Sequence, residues 1–306
     1  MKLRAIDLFA GAGGFSTGAR AAGAHIVWAA NHWELAVRFH ARNHPRTLHQ
    51  CQDLHQANWL EVPRHDLVLA SPSCQGHSPA RGKDKPHHDA TRATAWAVVS
   101  CLEAHRTPVC LVENVVDFQR WLLYPAWLDA LQRLGYSVAP HVLDAADFGV
   151  PQHRVRVFLV ATRSKHPLKL RLRRRPHRPV NDILHWDAGK WSLVDKPRRS
   201  LATLARIANG RTEFGDRFVA PYYGSGSGTT GRSLDRPIGT LTTRDRWALV
   251  DGDYMRMLSK QESRAAMGFP ENYQLPTTHK ESIHLLGNAV CPPVAAAVVR
   301  AVLRQA

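Results

Sequence analysis

One junction near the start of the chain constrains its fold more than any other feature: a strand, a glycine turn and a helix in immediate succession. Residues 3–9 (LRAIDLF) read as a buried strand, Gly11, Gly13 and Gly14 follow within GAGG, and residues 15–22 continue as a helix. Glycines at such a turn permit backbone angles closed to other residues and let a ligand approach the main chain. Successive units of this kind build an open α/β sheet. The spacing differs from the G-x-G-x-x-G of a dinucleotide turn. Asp7 also puts an acid near the end of the strand. A carboxylate there disfavours a pyrophosphate and suits a cation such as a sulfonium or an ammonium.

The pattern then repeats. Residues 25–31 form a second strand, and His32, Trp33 and Glu34 open a helix that runs to about residue 43. Trp33 can stack on an aromatic ligand or serve as a buried structural residue, and the sequence leaves both open. A third short unit closes on Asp53 and Leu54, where Asp53 can accept from an amino group or cap the next turn. Residues 66–70 (DLVLA) are the next buried strand, cut off at Ser71, Pro72 and Ser73, with Cys74 directly after. Pro72 fixes its own φ and pushes Ser71 towards an extended conformation, so the chain turns sharply out of the sheet. Ligands of open α/β sheets bind just beyond the carboxyl ends of the strands, which is where a nucleophilic Cys74 is useful. A lone cysteine can equally be an inert core residue. Its polar neighbours Ser71, Ser73, Gln75, His77 and Ser78 favour an open site. The loop continues through Arg81, Lys83, Asp84, Lys85, Pro86, His87 and His88, and has the character of a lid over an anionic substrate.

Residues 109–112 form another buried strand, ending at Glu113, an acid that either points into the same crevice or caps the next segment. In residues 148–160, Arg154, Arg156 and Phe158 share one face of an extended strand, because side chains alternate. Two arginines on a buried face need an acid or a polar ligand opposite them. From about residue 163 the composition changes. KLRLRRRPHRP spans residues 169–179, and residues 198–232 are rich in Arg, Gly, Ser and Thr. With 41 Lys and Arg against 25 Asp and Glu, the formal charge is +16, which points to a polyanionic partner. Five cysteines without C-x-x-C spacing suggest neither a disulfide framework nor a zinc site. The N-terminus lacks the layout of a signal peptide, and no run approaches the roughly 18 uninterrupted apolar residues of a membrane span.

Six blocks, taken in order, resemble the DNA (cytosine-5)-methyltransferase family: DLFAGAGGFSTG, SPSCQGHS, ENV, ADFGVPQHRVRVFLVA, RPIGTLTTRDRWALV and GNAVCPPVAAAV. They cover the chain except its basic middle, which stands in the place of that family's variable target-recognition domain. The resemblance implies an α/β fold, a Rossmann-like S-adenosylmethionine-dependent methyltransferase sheet with a smaller basic target-recognition domain. The corresponding division is 1–162 for the catalytic and cofactor-binding domain, 163–235 for target recognition, and 236–306 for a segment returning to the catalytic domain. It further implies methyl transfer to C5 of a cytosine flipped out of duplex DNA, through a covalent bond from Cys74 to C6. Glu113 would then hold the N3 and amino edge of the base, and Arg154 and Arg156 would face the same pocket, Arg156 towards O2. S-adenosylmethionine would lie against Phe9, Gly11, Gly13, Gly14 and Phe15, with Trp33 facing the adenine and Asp53 and Leu54 beside its amino group. Asn288 and Val290, from the far end of the chain, would close that pocket. The partner implied is double-stranded DNA, met by a cytoplasmic monomer without metal or membrane.

Two positions depart from the family pattern. The family usually has Pro immediately before the nucleophile, whereas this chain has Ser73, with Pro72 one place earlier. Its second strand usually ends in a carboxylate for the ribose hydroxyls, and here His32 stands there. Glu34 is two positions on and does not share the strand-end face, so weaker ribose contact through His32 is expected. Two other readings stay open at this level. An RNA cytosine-5 methyltransferase would share nearly every block, and a non-enzymatic DNA-binding module would not need Cys74, Glu113 and Arg156 to converge.

Overall fold

The computed structural model describes residues 3–73, 93–222 and 228–305. Its strands are β1 (Arg4–Leu8), β2 (His25–Asn31), β3 (Leu48–Cys51), β4 (Leu67–Ala70), β5 (Val109–Asn114), β6 (Ser137–Asp144), β7 (Val155–Thr162), β8 (Ser192–Leu193), β9 (Arg217–Pro221), β10 (Trp247–Asp251) and β11 (Tyr254–Met257). The α-helices are α1 (Gly14–Ala21), α2 (Glu34–Asn43), α3 (Trp96–His105), α4 (Tyr124–Arg133), α5 (Leu201–Phe214), α6 (Lys260–Ala266), α7 (His279–Gly287) and α8 (Pro292–Gln305). Two compact units result: residues 1–144, 155–173 and 289–306 form the first, and 145–154 and 174–288 the second.

The first unit holds a sheet in the order β3-β2-β1-β4-β5-β7-β6. β1 to β5 run parallel, and β7 is antiparallel to both β5 and β6. All four residues of β4 are buried, as an interior strand covered on both faces requires. Ile6, Leu8, Val68, Ala70, Leu102 and Trp127 lie in one apolar cluster that joins β1 and β4 to α3 and α4. α1 and α8 pack so closely that a Cβ at Gly18 would collide with Ala295 and the Pro292 carbonyl. Arg300 completes that contact by donating to the Ala21 carbonyl at 2.7 Å.

The second unit holds an antiparallel sheet in the order β8-β11-β10-β9. Ile207 of α5 joins Phe218, Ala220, Ala248, Val250 and Met255 in its core. Near its edge, Arg256 and Glu262 form a buried bidentate ion pair at 2.7 and 2.8 Å. Glu262 also accepts from the backbone of Ser259 and His185, so four donors meet the buried carboxylate.

The units differ from the expected division 1–162, 163–235 and 236–306. Residues 145–154 and most of the C-terminal third fall in the second unit, and only 289–306 return to the first. Composition marks where the basic stretch begins, but not which sheet a neutral segment packs against. The apolar C-terminal stretch forms two helices, α7 and α8, separated at residues 288–291. Pro292 and Pro293 sit in the first turn of α8, where a missing N–H costs nothing. Residues 279–305 together are long and apolar enough by composition to cross a membrane, but they are mostly buried. That apolar surface is taken up by the cores of the two units.

Candidate active site

The sheet order makes β1 and β4 the point where the chain reverses its direction of travel across the sheet. From β1 it moves outward through β2 and β3, then returns to β4 on the other side and continues to β5. A crevice opens beyond the carboxyl ends of strands at such a point. The glycine turn leaves β1 there, and Ser71, Pro72 and Ser73 leave β4.

The glycine turn is built on left-handed backbone. Phe9 has φ 60°, Gly11 45° and Gly13 73°. A phenylalanine in this region costs free energy that the surrounding structure must offset. Ala10 N–H donates to the Ala30 carbonyl and Gly13 N–H to the Ala10 carbonyl, which ties the turn to β2. Gly13 is the N-cap of α1 and supplies no side-chain cap. The helix therefore starts with backbone N–H groups that a carboxylate can meet. Phe15 is not a surface contact: it is 1% exposed and meets Phe158 edge-on at 6.0 Å.

Asp7 does not face an open crevice. It is fully buried, and its Oδ2 accepts from Ser16 N–H at 3.1 Å and Ser16 Oγ at 2.6 Å. One carboxyl oxygen is thus engaged by the first turn of α1. Burial raises its pKa to about 7, against which the Ser16 hydrogen bonds work only in part. The stability tied to this proton is complete below about pH 4 and is lost as pH rises through about 7.

Farther along the sheet edge, Trp33 is half-buried at the N-cap of α2, and its N–H donates to Asn31 Oδ1 at 2.9 Å. His32 and Glu34 on either side are exposed. Asp53 is exposed and accepts from His55 N–H at 3.0 Å, so the capping role left open by sequence is present. Leu54 is 2% exposed and belongs to the core. The turn, the half-buried indole and the exposed Asp53 carboxylate follow the adjacent strands β1, β2 and β3, and their chemistry fits an adenosine attached to a charged amino acid. Among the described residues, no group of three or more His, Cys, Asp or Glu side chains is arranged to hold a metal ion.

At the other side of β1, the root of the next loop is firmly anchored. Ser71 N–H donates to the Leu8 carbonyl at 3.2 Å and its Oγ to the Phe9 carbonyl at 3.3 Å. Asn114, 1% exposed, donates from Nδ2 to the Pro72 carbonyl at 3.1 Å, and Ser73 N–H donates to Thr94 Oγ1 at 3.1 Å. Cys74 and the basic loop through His88 lie outside the described residues. The residue before Cys74 is nevertheless held without a proline, because Thr94 and Asn114 supply the hydrogen bonds.

Glu113 and Arg156 are brought together. The Arg156 Nε lies 3.3 Å from Glu113 Oε1, with side chains 15% and 9% exposed. β7 is antiparallel to β5, so its start, not its end, lies at the carboxyl end of β5. Phe158 pairs with Glu113, and Arg156 is two residues away on the same face. A second bond from Arg156 Nη1 to the Val155 carbonyl, at 2.8 Å, fixes the guanidinium.

Arg154 is a correction. β7 begins at Val155, so the alternation argument does not extend to Arg154. It belongs to the second unit, 4% exposed, and donates to the Leu241 and Gly287 carbonyls at 2.9 and 2.8 Å. Those bonds make it a structural clamp between the Leu241 segment and the C-terminal end of α7. Asn288, exposed, ends α7 in the second unit, while Val290, 3% exposed, precedes α8 in the first. Sequence reasoning passed over Asn114 and Thr94, which hold the loop root. It also passed over His40 and His44, whose i, i+4 spacing on α2 was the available signal.

A sequence model of the family described as C-5 cytosine-specific DNA methylase matches residues 3–304. The type II methyltransferase M.NlaX of Neisseria lactamica is 28% identical over 320 residues, covering 98% of this chain and 95% of that protein. The type II methyltransferase M.HhaI of Haemophilus parahaemolyticus is 26% identical over 300 residues, covering 94% of this chain and 90% of its own. Among solved structures, a DNMT2 mutant from Spodoptera frugiperda shares the fold, with a TM-score of 0.72 at 18% identity over 98% of this chain and 99% of its own.

Proposed function

Because the chain belongs to the C-5 cytosine-specific DNA methylase family, and is on that ground a DNA (cytosine-5) methyltransferase, we propose that it methylates C5 of a flipped-out cytosine through a covalent Cys74 adduct. The observation that carries this reading is the Glu113–Arg156 pair at the end of β5, beside the Asn114 bond that holds the loop leading to Cys74. S-adenosylmethionine, when bound, supplies a methyl group made electrophilic by its sulfonium. Phe9, Gly11, Gly13, Gly14 and Trp33 are the residues to hold it, with Asp53 towards the adenine. Val290, in the same unit, is assigned to the same cofactor.

The chain's own residues carry the remaining chemistry. C5 of cytosine is a weak nucleophile until a thiolate adds to C6. Cys74 is assigned that addition, which needs its thiol ionised from an ordinary pKa of about 8.5. Glu113 accepts from the amino group and meets N3, favouring the ring as charge develops on it. Arg156 orients Glu113 and reaches O2. Cys74 departs when the C5 proton is removed. The base must leave the duplex for any of these contacts to form. Bisulfite sequencing of DNA from cells that express the protein should show protected cytosines in one sequence context. Protection absent there but present in cellular RNA would transfer the activity to the other nucleic acid.

The basic run is proposed as part of the DNA-facing surface. Arg171, Arg173 and Arg175 are exposed, whereas Arg174 approaches Asp147 at 3.4 Å and Arg178 pairs with Asp182 at 3.0 Å. Replacing Arg171, Arg173 and Arg175 by glutamine should weaken duplex binding and reduce its salt slope by about 0.9 for each phosphate no longer neutralised. Binding measured across a salt series decides this. An unchanged slope would make the run a solvated face.

A further inference from the structure

Beneath the glycine turn lies a cluster of polar side chains that the methyl-transfer chemistry does not use. His40, 1% exposed, places Nε2 3.0 Å from Ser16 Oγ and Nδ1 2.7 Å from His49 Nε2. Ser16 Oγ is in turn 2.6 Å from Asp7 Oδ2. The other ring nitrogen of His49 faces the Thr47 backbone, and His49 itself is half-buried. One unbroken row of hydrogen bonds therefore runs from a fully buried carboxyl to a side chain that meets solvent. Gly11, Ala10, Asn31, Val37, His40 and His49 also line a small pocket against the turn.

We propose that Asp7, Ser16, His40 and His49 form a chain holding one shared proton beneath the glycine turn, and that His40 is thereby a positioning residue for the cofactor. The inference rests on the assignment of S-adenosylmethionine to that turn. Two arrangements satisfy every link from Asp7 to His49. In the first, Asp7 is protonated and donates to Ser16 Oγ, the hydroxyl donates to His40 Nε2, and His40 Nδ1–H donates to His49 Nε2. His49 Nδ1–H then meets the Thr47 carbonyl. In the second, each proton has moved one step: Asp7 Oδ2 to Ser16, Ser16 to His40 Nε2, and His40 Nδ1 to His49 Nε2. This leaves a carboxylate at one end and an imidazolium at the other, and when the imidazolium releases its Nδ1 proton to water the bond from His49 to the Thr47 carbonyl is given up. Ionisation of Asp7 thus reverses every hydrogen bond in the chain, including the one that His40 makes to the first turn of α1.

The neighbouring charges suit this assignment. Arg20, from α1, approaches His44 Nδ1 at 3.0 Å and donates to the Asn43 carbonyl at 3.3 Å. His44 Nε2 consequently carries its hydrogen, towards Thr17 Oγ1 at 3.3 Å and the Gly13 backbone. Burial and Arg20 hold the His44 pKa at about 4, so it stays neutral through the relevant range. Burial, with His44, His49 and Arg20 nearby, keeps His40 neutral as well. Its 3.9 Å approach to Asp7 is therefore not an ion pair. Burial lifts Asp7 to about 7, which puts the reversal near neutral pH. Above it, a negative charge lies under a turn assigned to a cation.

Long-range nitrogen–proton NMR of the wild-type histidines between pH 5.5 and 8.5 tests the chain directly. His40 should carry its hydrogen on Nδ1 at the acid end and on Nε2 at the alkaline end. In the same range, calorimetry should show S-adenosylmethionine binding tighten several-fold as pH rises. S-adenosylhomocysteine, which lacks the sulfonium, should change less. Asp7→Asn should abolish the pH dependence, and His40→Phe should weaken binding at every pH, with partial rescue by His40→Gln. A His40 tautomer that never changes overturns the proposal, as does an unaltered profile in Asp7→Asn. Wild type that fails to bind S-adenosylmethionine at any pH would instead remove the cofactor assignment, while the tautomer measurement still decides the shared proton.

Discussion

Cys74→Ser is expected to lose methyl transfer by on the order of 10,000-fold or more, the scale on which covalent enzymes lose rate when the nucleophile is removed. A serine hydroxyl has no accessible anion near neutral pH and adds poorly to C6. Duplex DNA with 5-fluorocytosine at the target, incubated with S-adenosylmethionine, separates nucleophile loss from misfolding. Fluorine cannot depart as a proton does, so wild type should be trapped as a denaturation-resistant adduct, and Cys74→Ser should form none. The variant should keep its thermal stability and its affinity for duplex DNA, because the loop root is held by Asn114 and Thr94 rather than by the thiol. An adduct of equal yield from the serine variant would exclude Cys74 as the nucleophile.

Glu113→Gln should slow the single-turnover methylation rate by about 100-fold or more, the usual loss when one preorganised electrostatic contact is removed. The carboxylate faces Arg156 at 3.3 Å in a largely buried setting. The amide keeps the shape but loses an acceptor for the cytosine amino group and leaves the Arg156 charge without its acid. The effect should fall on rate far more than on DNA affinity, since the contact gains strength only as the ring becomes activated. Equal losses in rate and in affinity would mean that Glu113 only binds the base. An unchanged rate would remove it from catalysis. Arg156→Ala should produce part of the same loss through a misplaced Glu113.

The sheet was legible because its signals are local. A buried parallel strand needs an unbroken apolar run, so residues 66–70 announce β4 without help from the rest of the chain. The left-handed angles at Gly11 and Gly13 were legible for a similar reason, since no other residue takes them so cheaply. Phe9 was not, because a phenylalanine at φ 60° is held there by its surroundings. Arg154 and Arg156 show the same limit. Alternation puts them on one face only if both are in the strand, and where a strand starts is set by its neighbours in the sheet. Arg154 precedes β7 and clamps the backbone at Leu241 and Gly287 instead.

By itself, the sequence determined the α/β class, the glycine turn after the first strand and the order of blocks that marks the family. Each of these is fixed by short-range constraints on backbone angle, strand burial or residue identity. Only the tertiary structure decided which polar groups meet. The antiparallel pairing of β7 with β5 brings Arg156 to Glu113. The packing of α2 on β2 and β3 brings His40 to Ser16 and His49, which completes the row of hydrogen bonds from Asp7. A buried polar group must find partners wherever the fold places it, and those partners lie far away in the chain.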